Sequence, residues 1–303
     1  MDLRILLTGS TGQVGVEFIK AGAHLGELIA LTRADCDLAD PDAIRCAVRE
    51  IKPDVIVNAA AYTAVDKAES EPQLAFAANA TAPGVLAEEA RVLGAQLIHY
   101  STDYVFDGSK NSSYVEEDPP CPVSQYGRSK LEGERLILAS KARAIILRTS
   151  WVYGSHGKNF LLTMLRLAQQ RPELRVVADQ FGSPTSAGEI ARATVRIIGA
   201  HNGAQVESAH GAVYHMTAQG VTSWCGFAQA IIDQAELPTP PRVTPIASSE
   251  YPTPARRPFN SALANDKFAV RFGFRLRPWQ DALKDVMVEI RKAQIKPAAA
   301  PLH

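Results

Sequence analysis

Tyr126 and Lys130 carry the clearest chemical signal in this sequence of 303 residues, because they stand four residues apart in a stretch with helical spacing, 125–140. Residues i and i+4 share one face of a helix. Reduction of a ketone by hydride leaves an oxygen that needs a proton, and a neutral phenol can donate it if its pKa is lowered. The ammonium of Lys130 would lower that pKa and would also hold the ribose hydroxyls of a nicotinamide cofactor. The spacing alone is common in helices, so the pair needs supporting features.

Thr102 is the third expected member of this site. It follows the apolar run Gln96 to Tyr100, and open parallel sheets bind ligands where such strands end. Its hydroxyl would hydrogen-bond the carbonyl oxygen of the substrate and position it for the proton from Tyr126. A threonine after a strand also serves in ordinary turns. Together with Tyr126 and Lys130, however, it predicts hydride transfer to a carbonyl.

A glycine-rich loop near the start of the chain predicts a dinucleotide site. The sequence TGSTGQVG follows the first apolar run directly and opens a helix. Gly9 permits the tight turn, Gly12 admits the pyrophosphate, and Gly15 permits close packing of the helix on the sheet. Unpaired N–H groups and the helix dipole attract the phosphates, and Gln13 and Val14 would line the turn. A plain glycine-rich turn is the alternative, but the strand, loop and helix in succession favour a cofactor loop.

Arg33 bears on which nicotinamide cofactor is used. Enzymes that prefer NAD place an acid on the adenosine ribose at the end of the second strand, where this chain reads Leu31-Thr32-Arg33. A guanidinium suits the 2′-phosphate, so NADPH is favoured over NADH. Asp35 and Asp37 follow closely and could turn back onto the ribose or the adenine amine. A solvated surface side chain is the alternative for Arg33.

These residues are expected on a Rossmann-like, doubly wound α/β fold, because short apolar runs alternate with helical stretches in the first half of the chain. Such a sheet is parallel and has helices on both faces. The predicted buried strands are Leu3 to Leu7, Leu28 to Leu31, Val55 to Val57, Gln96 to Tyr100 and Ala144 to Leu147. The predicted helices are Val14 to Ala21, Pro41 to Ile51, Glu71 to Leu93 and Gln125 to Ser140.

The pattern loosens after Trp151, where Pro, Gly and Ser become frequent. Residues 1–150 are therefore expected to form the dinucleotide-binding domain, and residues 151–295 mainly a smaller lobe for the substrate. The strand Arg175 to Val177 and the helix Ala187 to Ile198 would return to the first domain, which would then receive parts of 174–200. Residues 296–303 are rich in Ala and Pro and are expected to be a frayed tail.

The composition excludes several classes of function. Lys plus Arg and Asp plus Glu number 32 each, so the chain has no global field to hold nucleic acid or an acidic membrane surface. The four cysteines are scattered without metal-ligand spacing, which is typical of a reduced, cytoplasmic protein. The first apolar run is too short for a signal peptide or a membrane span. These features favour a cytoplasmic enzyme with a small-molecule substrate.

At these residues the sequence resembles the extended short-chain dehydrogenase/reductase superfamily and, within it, the family of dTDP-4-dehydrorhamnose reductases. The resemblance runs almost from end to end and lies in the order and spacing of its segments. Besides the glycine-rich loop and the pair Tyr126 and Lys130, the matching segments are Asn58 to Asp66, Ser101 to Gly108, Arg148 to Gly154, Asp179 to Thr185 and Arg257-Pro258.

The resemblance implies a homodimeric enzyme that reduces the 4-keto group of dTDP-4-dehydro-L-rhamnose, with NADPH or NADH, in the synthesis of dTDP-L-rhamnose. Tyr126 would donate the proton, Lys130 would be its partner, Thr102 would tune it, and Tyr126 and Lys130 would also contact the cofactor. The implied sugar-nucleotide contacts are Thr102, Asp103 and Trp151. The implied cofactor contacts are Gly12, Gln13, Val14, Ala61, Tyr62 and Thr63, with Asp37 and Leu38 on the adenine side.

Two departures from the family limit what the resemblance implies. The family often has an acid after the second strand, where this chain has Thr32-Arg33, so the choice between NADH and NADPH stays open. Some relatives hold Mg²⁺ at a dimer interface through glutamates. Glu17 and Glu289 stand in suitable places, but no third ligand is identified, and scattered glutamates are more often surface charge. No magnesium site is assigned.

Trp151 and two arginines are the remaining candidates for substrate binding. Trp151 has a flat apolar ring that would pack on a deoxysugar face at the junction of the lobes, or it is a core tryptophan. Arg256 and Arg257 would clamp a diphosphate, or they are solvated loop cations.

Two other functions are compatible with the same residues. A nucleotide-sugar epimerase shares them, and Tyr126, Lys130 and Thr102 alone cannot separate it from a reductase. A non-catalytic relative would be expected to lack Tyr126 or Lys130, and both are present.

Overall fold

A computed structural model describes residues 3–200 and 212–295 of the chain. The elements of the first half are β1 (Leu3–Thr8), α1 (Gln13–Gly22), β2 (Gly26–Leu31), α2 (Pro41–Ile51), β3 (Val55–Asn58), α3 (Pro72–Phe76), α4 (Ala82–Leu93), β4 (Gln96–Thr102), α5 (Gln125–Ser140) and β5 (Arg143–Thr149). The later elements are β6 (Val152–Tyr153), α6 (Phe160–Ala168), β7 (Glu173–Val177), β8 (Phe181–Gly182), β9 (Thr185–Ser186), α7 (Ala187–Ala200), β10 (Ala212–His215), β11 (Thr222–Ser223), α8 (Trp224–Asp233), β12 (Arg242–Ile246), α9 (Asp266–Phe272) and α10 (Trp279–Ile295).

The described residues form a central sheet of six strands in the order β10-β5-β4-β3-β1-β2. Every neighbouring pair in it is parallel, which confirms the predicted doubly wound α/β fold. The chain moves from β1 to one side to form β2, and from β3 to the other side to form β4. At such a reversal a crevice opens outside the carboxyl ends of the strands, and ligands bind there.

Helices cover both faces of the sheet. In β1, Ile5 and Leu7 belong to an apolar cluster with Phe18 of α1 and Ile190 of α7. Leu6 belongs instead to a cluster formed with residues of α2 and α4. Successive side chains of a strand point to opposite faces, so both faces of the strand are buried. Burial on both faces explains why the strands are near-continuous apolar runs in the sequence.

The chain beyond β5 contributes to this sheet and also forms a core of its own. The strand β10 pairs with β5, and the predicted helix Ala187 to Ile198 packs along α1 as part of α7. The prediction that the strand Arg175 to Val177 also returns to the first domain is wrong, because β7 pairs with β12 in a separate two-stranded sheet. A further apolar cluster joins α6, α8 and α10, and Tyr153, Phe227 and Leu283 are fully buried in it. The predicted tail, 296–303, lies outside the described residues. Within the described ranges, no helix is both long and apolar enough to cross a membrane.

The predicted helix from Glu71 to Leu93 is wrong in one respect, because it is not continuous. A π-helical turn, Ala77–Thr81, joins α3 to α4, and such turns occur frequently at functional sites. Its sequence AANAT contains no helix breaker. The deviation coincides with the fully buried Asn79, whose side chain hydrogen-bonds outside its own helix to Tyr62 and Ser129.

A buried ion pair fixes α5 against the sheet. The Nε and Nη2 atoms of Arg148 on β5 donate to the two carboxylate oxygens of Glu134 on α5, at 2.9 and 2.7 Å. The two side chains are 4% and 2% exposed. Tyr126 and Lys130 also belong to α5. The ion pair of Glu134 and Arg148 therefore fixes their position relative to the sheet.

We expect Glu134→Gln to lower the free energy of unfolding by about 3 to 5 kcal/mol, because it leaves the Arg148 guanidinium buried without a counter-charge. Glu132→Gln is the matched control, since Glu132 pairs with Arg135 on the exposed side of the same helix. Its effect should stay below about 1 kcal/mol. Urea unfolding followed by circular dichroism measures both values, and equal losses in the two variants would contradict this account of the pair.

Candidate active site

The three residues predicted for hydride transfer meet at the carboxyl end of β4. Thr102 is the last residue of that strand, and its hydroxyl interacts with the phenol of Tyr126. The Nζ atom of Lys130 donates a hydrogen bond of 2.6 Å to the carbonyl oxygen of Tyr100, two residues before Thr102. Ser124 caps the start of α5 through its hydroxyl and the N–H of Gly127, which sets where the helix begins.

Burial keeps the phenol of Tyr126 neutral. It raises the pKa of Tyr126 to about 12, while the Thr102 hydroxyl lowers this pKa and the Asp103 carboxyl raises it. The lowering by Lys130 that the sequence predicts is not present in this structure, because burial dominates and the Lys130 ammonium faces the Tyr100 carbonyl instead. The phenol is therefore protonated at neutral pH, and a proton donor needs that form.

Lys130 is a buried cation with few acceptors. Its side chain is 2% exposed, and besides the Tyr100 carbonyl its Nζ atom lies 3.3 Å from Nε2 of His99. Burial lowers the pKa of Lys130 to about 8, and the negative charge of Glu134 opposes this effect. The ammonium form therefore predominates at neutral pH and is lost as the pH rises past about 8.

Asp103 follows Thr102 directly and is buried. Its Oδ1 atom accepts a hydrogen bond of 3.0 Å from the Thr102 hydroxyl. Burial raises the pKa of Asp103 to about 7, against the lowering effect of the Ser261 and Thr102 hydroxyls. The carboxyl therefore lies beside the predicted catalytic hydroxyls, as a contact with the substrate requires.

Asn79 connects the cofactor side of the crevice to α5. Its Oδ1 atom accepts from the backbone N–H of Tyr62 at 2.8 Å, and its Nδ2 atom donates to the carbonyl of Tyr62 at 3.0 Å. The same Nδ2 donates to the Ser129 hydroxyl, which in turn donates to the carbonyl of Tyr126. One side chain therefore positions the loop that contains Ala61, Tyr62 and Thr63, and braces the helix that carries the phenol.

The glycine-rich loop presents an uncapped helix N-terminus to the crevice. No side chain caps the first N–H groups of α1, and its first turn has no acidic residue, so the helix can receive a phosphate. A Cβ atom at Gly9, where φ is +71°, would lie 2.6 Å from the nitrogen of Ala60, and one at Gly15 would lie 2.1 Å from the carbonyl oxygen of Gly9. Gln13 accepts a hydrogen bond of 2.8 Å from Asn159, which links the loop to the second half of the chain.

The residues predicted for the adenine side lie together after β2. Arg33 is 84% exposed and stands 3.4 Å from Asp37, so its guanidinium is available to a ligand. The carboxylate of Asp35 accepts from the N–H and hydroxyl of Thr32, and these bonds lower the pKa of Asp35. Asp35 therefore stabilises the turn after β2. Leu38 packs on the apolar cluster beneath the loop.

Of the residues predicted to bind the substrate, Trp151 and Arg257 contact other side chains near the strand end, whereas Arg256 is exposed. Trp151 has a positive φ of +47°, and its ring stacks on Trp224 of α8 with centroids 3.6 Å apart. Arg257 donates to Asp66 at 2.9 Å and interacts with the phenol of Tyr104, whose ring packs edge-on against Tyr126. Arg256 is exposed in the same loop.

Several buried polar atoms at this edge of the sheet lack a partner. In the part of the chain that the structure describes, they include Ser101 Oγ, Asp103 Oδ2 and Thr149 Oγ1. Thr149 ends β5 directly beside Thr102 in the register of the sheet. An unsatisfied buried polar atom costs free energy unless a ligand pairs with it. Together with the uncapped N-terminus of α1, these atoms fit a polar ligand such as a nicotinamide dinucleotide.

The glutamates considered for Mg²⁺ are paired with a lysine. The Nζ atom of Lys20 lies 2.7 Å from Glu17 and 3.3 Å from Glu289, and the hydrogen bond to Glu17 is the main cause that raises the pKa of Lys20. Residues 3–200 and 212–295 contain no group of three or more His, Cys, Asp or Glu that could hold a metal ion. The residues present therefore do not fit a magnesium ion.

Three residues that the structure places at the site, His99, Trp224 and Asn58, have no role predicted from the sequence. His99 and Trp224 were not identified, because a histidine inside an apolar strand and a tryptophan in an apolar helix both resemble core residues. Asn58 was noted only as the first residue of the family-like segment Asn58 to Asp66. A polar residue at the last inward position of a predicted strand is the signal that would have identified Asn58 and His99.

Comparison with known proteins identifies relatives over nearly the whole chain. Residues 3–292 match the family model described as RmlD substrate binding domain. A dTDP-4-dehydrorhamnose reductase of Burkholderia thailandensis is 48% identical over 291 residues, which cover 93% of this chain and 97% of that protein. One from Escherichia coli is 44% identical over 297 residues, which cover 95% of this chain and 98% of that protein.

A solved structure agrees with these relatives. The dTDP-4-dehydrorhamnose reductase of Bacillus anthracis, solved in complex with NADP, has a TM-score of 0.89 and 32% sequence identity, and the match covers 95% of this chain and 100% of that one. Fold, sequence and the family model therefore agree. The chain belongs to the family of dTDP-4-dehydrorhamnose reductases and is an NAD(P)H-dependent oxidoreductase.

Proposed function

We propose that the protein reduces the 4-keto group of dTDP-4-dehydro-L-rhamnose to give dTDP-L-rhamnose, with NADPH as the preferred cofactor and Tyr126 as the proton donor. The observation that carries this proposal is the meeting of the Tyr126 phenol, the Thr102 hydroxyl and the Lys130 ammonium at one strand end. Relatives at 44 and 48% identity carry the name of this activity.

Each residue of the site has a separate task in this reaction. The dihydronicotinamide supplies the hydride to the carbonyl carbon when it is bound. Tyr126, neutral at physiological pH because of burial, donates its proton to the carbonyl oxygen, and the Thr102 hydroxyl hydrogen-bonds that oxygen and the phenol. The ammonium of Lys130 would hydrogen-bond the ribose hydroxyls of the bound cofactor and so hold the nicotinamide beside Tyr126.

The second half of the chain, residues 151–295, mainly binds the sugar nucleotide in this proposal, and residues 1–150 with parts of 174–200 bind the dinucleotide. The polar groups assigned to the sugar are Thr102 and Asp103, with Trp151 packed on its apolar face and Arg256 or Arg257 near the diphosphate. A cytoplasmic homodimer is proposed as well, on the family resemblance and the composition.

NADPH is proposed over NADH because of the surroundings of Arg33. Its guanidinium is exposed at the end of β2, where an adenosine ribose is expected to lie. The nearby Asp35 is engaged by Thr32 and so does not compete for the ribose. A related structure is solved with NADP, which supports the same choice.

Tyr126→Phe should lower kcat about a hundred- to ten-thousand-fold, because the variant cannot supply the proton, while it leaves the dissociation constant for NADPH within about twofold. The assay follows NADPH absorbance with dTDP-4-dehydro-L-rhamnose as substrate. Tyr251→Phe is the control, since Tyr251 is 61% exposed. Full activity of Tyr126→Phe would refute its assignment, and isomerisation of the substrate without net NADPH oxidation would indicate an epimerase.

Arg33→Ser should raise KM for NADPH about tenfold and leave KM for NADH nearly unchanged, because only NADPH carries the phosphate that the guanidinium would bind. The comparison of the two cofactors in one variant corrects for any general damage. Arg271→Ser on α9, another exposed arginine, controls for the loss of surface charge. An equal rise in KM for both cofactors would contradict the assignment of NADPH to Arg33.

A further inference from the structure

A row of buried polar side chains lies beneath Lys130. Thr8, Asn58 and His99 stand side by side, because the register of the sheet pairs Thr8 with Asn58 and Asn58 with His99. All three are 3% exposed or less. Each follows, by two positions, an apolar residue on the same face of its strand; these residues are Leu6, Ile56 and Leu97. The apolar face under α4 and α5 therefore ends in a polar row at the edge that binds ligands.

The row forms one continuous chain of hydrogen bonds to the catalytic lysine. The Thr8 hydroxyl donates to Asn58 Oδ1 at 2.7 Å. Nδ2 of Asn58 lies 3.0 Å from Nδ1 of His99, and Nε2 of His99 lies 3.3 Å from Nζ of Lys130. The imidazole of His99 therefore has a partner at each ring nitrogen. Asn58 and His99 both belong to buried strands.

His99 is neutral in these surroundings. Burial and then the charge of Lys130 lower the pKa of His99 well below its usual value. The charge of Glu134, one turn after Lys130 on α5, also acts on Lys130, and Glu134 is paired with Arg148 on β5. Tyr126 stands one turn before Lys130 on the same helix. A neutral imidazole has one nitrogen that donates and one that accepts, so the partner of one nitrogen fixes the role of the other.

One of two possible arrangements, with Nδ2 of Asn58 facing Nδ1 of His99, suits an uncharged Lys130. The NH₂ group of Asn58 can only donate, so Nδ1 of His99 accepts and Nε2 carries the ring proton. Nε2–H then points at Nζ of Lys130, which can accept that proton in a hydrogen bond only as a neutral amine. An ammonium has no lone pair for it.

The charged form of Lys130 requires the opposite arrangement. An ammonium donates to Nε2, so the ring proton must be on Nδ1 and must be accepted by the carbonyl oxygen of Asn58. The amide of Asn58 then turns over, and its NH₂ group faces the oxygen of Thr8. Both arrangements satisfy every contact in the chain from Asn58 to Lys130, and they differ by one proton at Nζ, which solvent takes up or supplies.

His215 is a second buried histidine, and the charged side chain beside it, Arg148, cannot lose its proton. This buried histidine on β10 has Nδ1 at 3.2 Å from the carbonyl oxygen of Tyr114 and Nε2 at 3.4 Å from Nη1 of Arg148. A carbonyl only accepts and a guanidinium only donates, so His215 has a single tautomer. His99 differs on both sides, because its partners are an amide that can turn over and an amine that can lose its proton.

We propose that His99 is a positioning residue for Lys130, whose tautomer changes together with the Asn58 amide when Lys130 gains or loses its proton, so that Lys130 keeps a partner in both states. The inference rests on the proposed function, in which Lys130 acts as an ammonium. A partner that only accepts, such as the Tyr100 carbonyl, can accept an N–H from either form of the amine but cannot donate to the lone pair of the neutral form. The pair with His99 allows the buried amine to titrate while Nζ of Lys130 and both ring nitrogens of His99 keep a partner.

The direct test is ¹⁵N NMR of histidine and ¹³C NMR of lysine side chains in the whole protein, titrated from pH 6 to 10 with no substrate present. Lys130→Met and His99→Gln assign the two signals. We expect His99 to change from the Nδ1–H to the Nε2–H tautomer at the pH where Lys130 titrates. His215, in the same spectra, should keep its Nδ1–H tautomer throughout. A tautomer of His99 that stays constant while Lys130 titrates would overturn the proposal.

The pH profile of kcat/KM tests the same coupling in turnover. In His99→Leu the ammonium loses an acceptor, so the alkaline inflection should move down by about one pH unit. In His99→Gln the amide can accept from an ammonium or donate to an amine, so the inflection should return to within about 0.3 units of the wild-type value. Loss of activity by one factor at every pH, with no shift in either variant, would indicate a merely structural role and overturn the proposal.

The two experiments separate this inference from the proposed function. If the protein shows no reductase activity but the His99 tautomer follows Lys130, the proposed function fails and the coupling stands. If the reductase activity is present but neither the tautomer nor the inflection moves, the coupling fails and the proposed function stands. Urea unfolding of His99→Leu and His99→Gln confirms that both variants are folded before either result is interpreted.

Discussion

The burial of one ammonium group at the edge of a parallel sheet is the constraint on which this site depends. Removing a positive charge from water costs several kcal/mol unless acceptors replace the lost hydration. For Lys130 the carbonyl of Tyr100 is such an acceptor, Nε2 of His99 lies 3.3 Å away and can accept in one of its two tautomers, and the charge of Glu134 opposes the effect of burial. Because the effect of burial outweighs the charge of Glu134, the pKa of the amine falls to about 8.

Much of the surrounding structure serves to keep that amine and its neighbouring phenol in place. The ion pair of Glu134 and Arg148 ties α5 to β5, and Asn79 joins the same helix to the loop after β3. These contacts come from different strands and loops, so the positions of Tyr126 and Lys130 are set by the sheet as a whole. Such positions cannot shift independently, and preorganised groups of this kind are what electrostatic catalysis requires.

The sequence predicts the parts of this arrangement that have a local pattern. The glycine-rich loop, the apolar strands and the helical spacing of Tyr126 and Lys130 all carry periodicity or turn chemistry, and the fold class follows from them. The polar row of Thr8, Asn58 and His99 has no such pattern, because its members come from three strands that are distant in sequence. The π-helical turn at Asn79 is likewise invisible in an alanine-rich stretch, since long-range hydrogen bonds accompany it. The stack of Trp151 on Trp224 could not be predicted either, because the two residues are far apart in the sequence.

Away from the strand end, Lys20 forms ion pairs with both Glu17 and Glu289. The central claim nevertheless concerns the strand end, and a crystal structure of the ternary complex with NADPH and a dTDP-6-deoxysugar tests it most directly. The account predicts the C4 oxygen of the sugar within hydrogen-bond distance of the hydroxyls of Tyr126 and Thr102, and Nζ of Lys130 on the nicotinamide ribose. A C4 oxygen that faces other groups, with Tyr126 turned away from the nicotinamide ring, would contradict it.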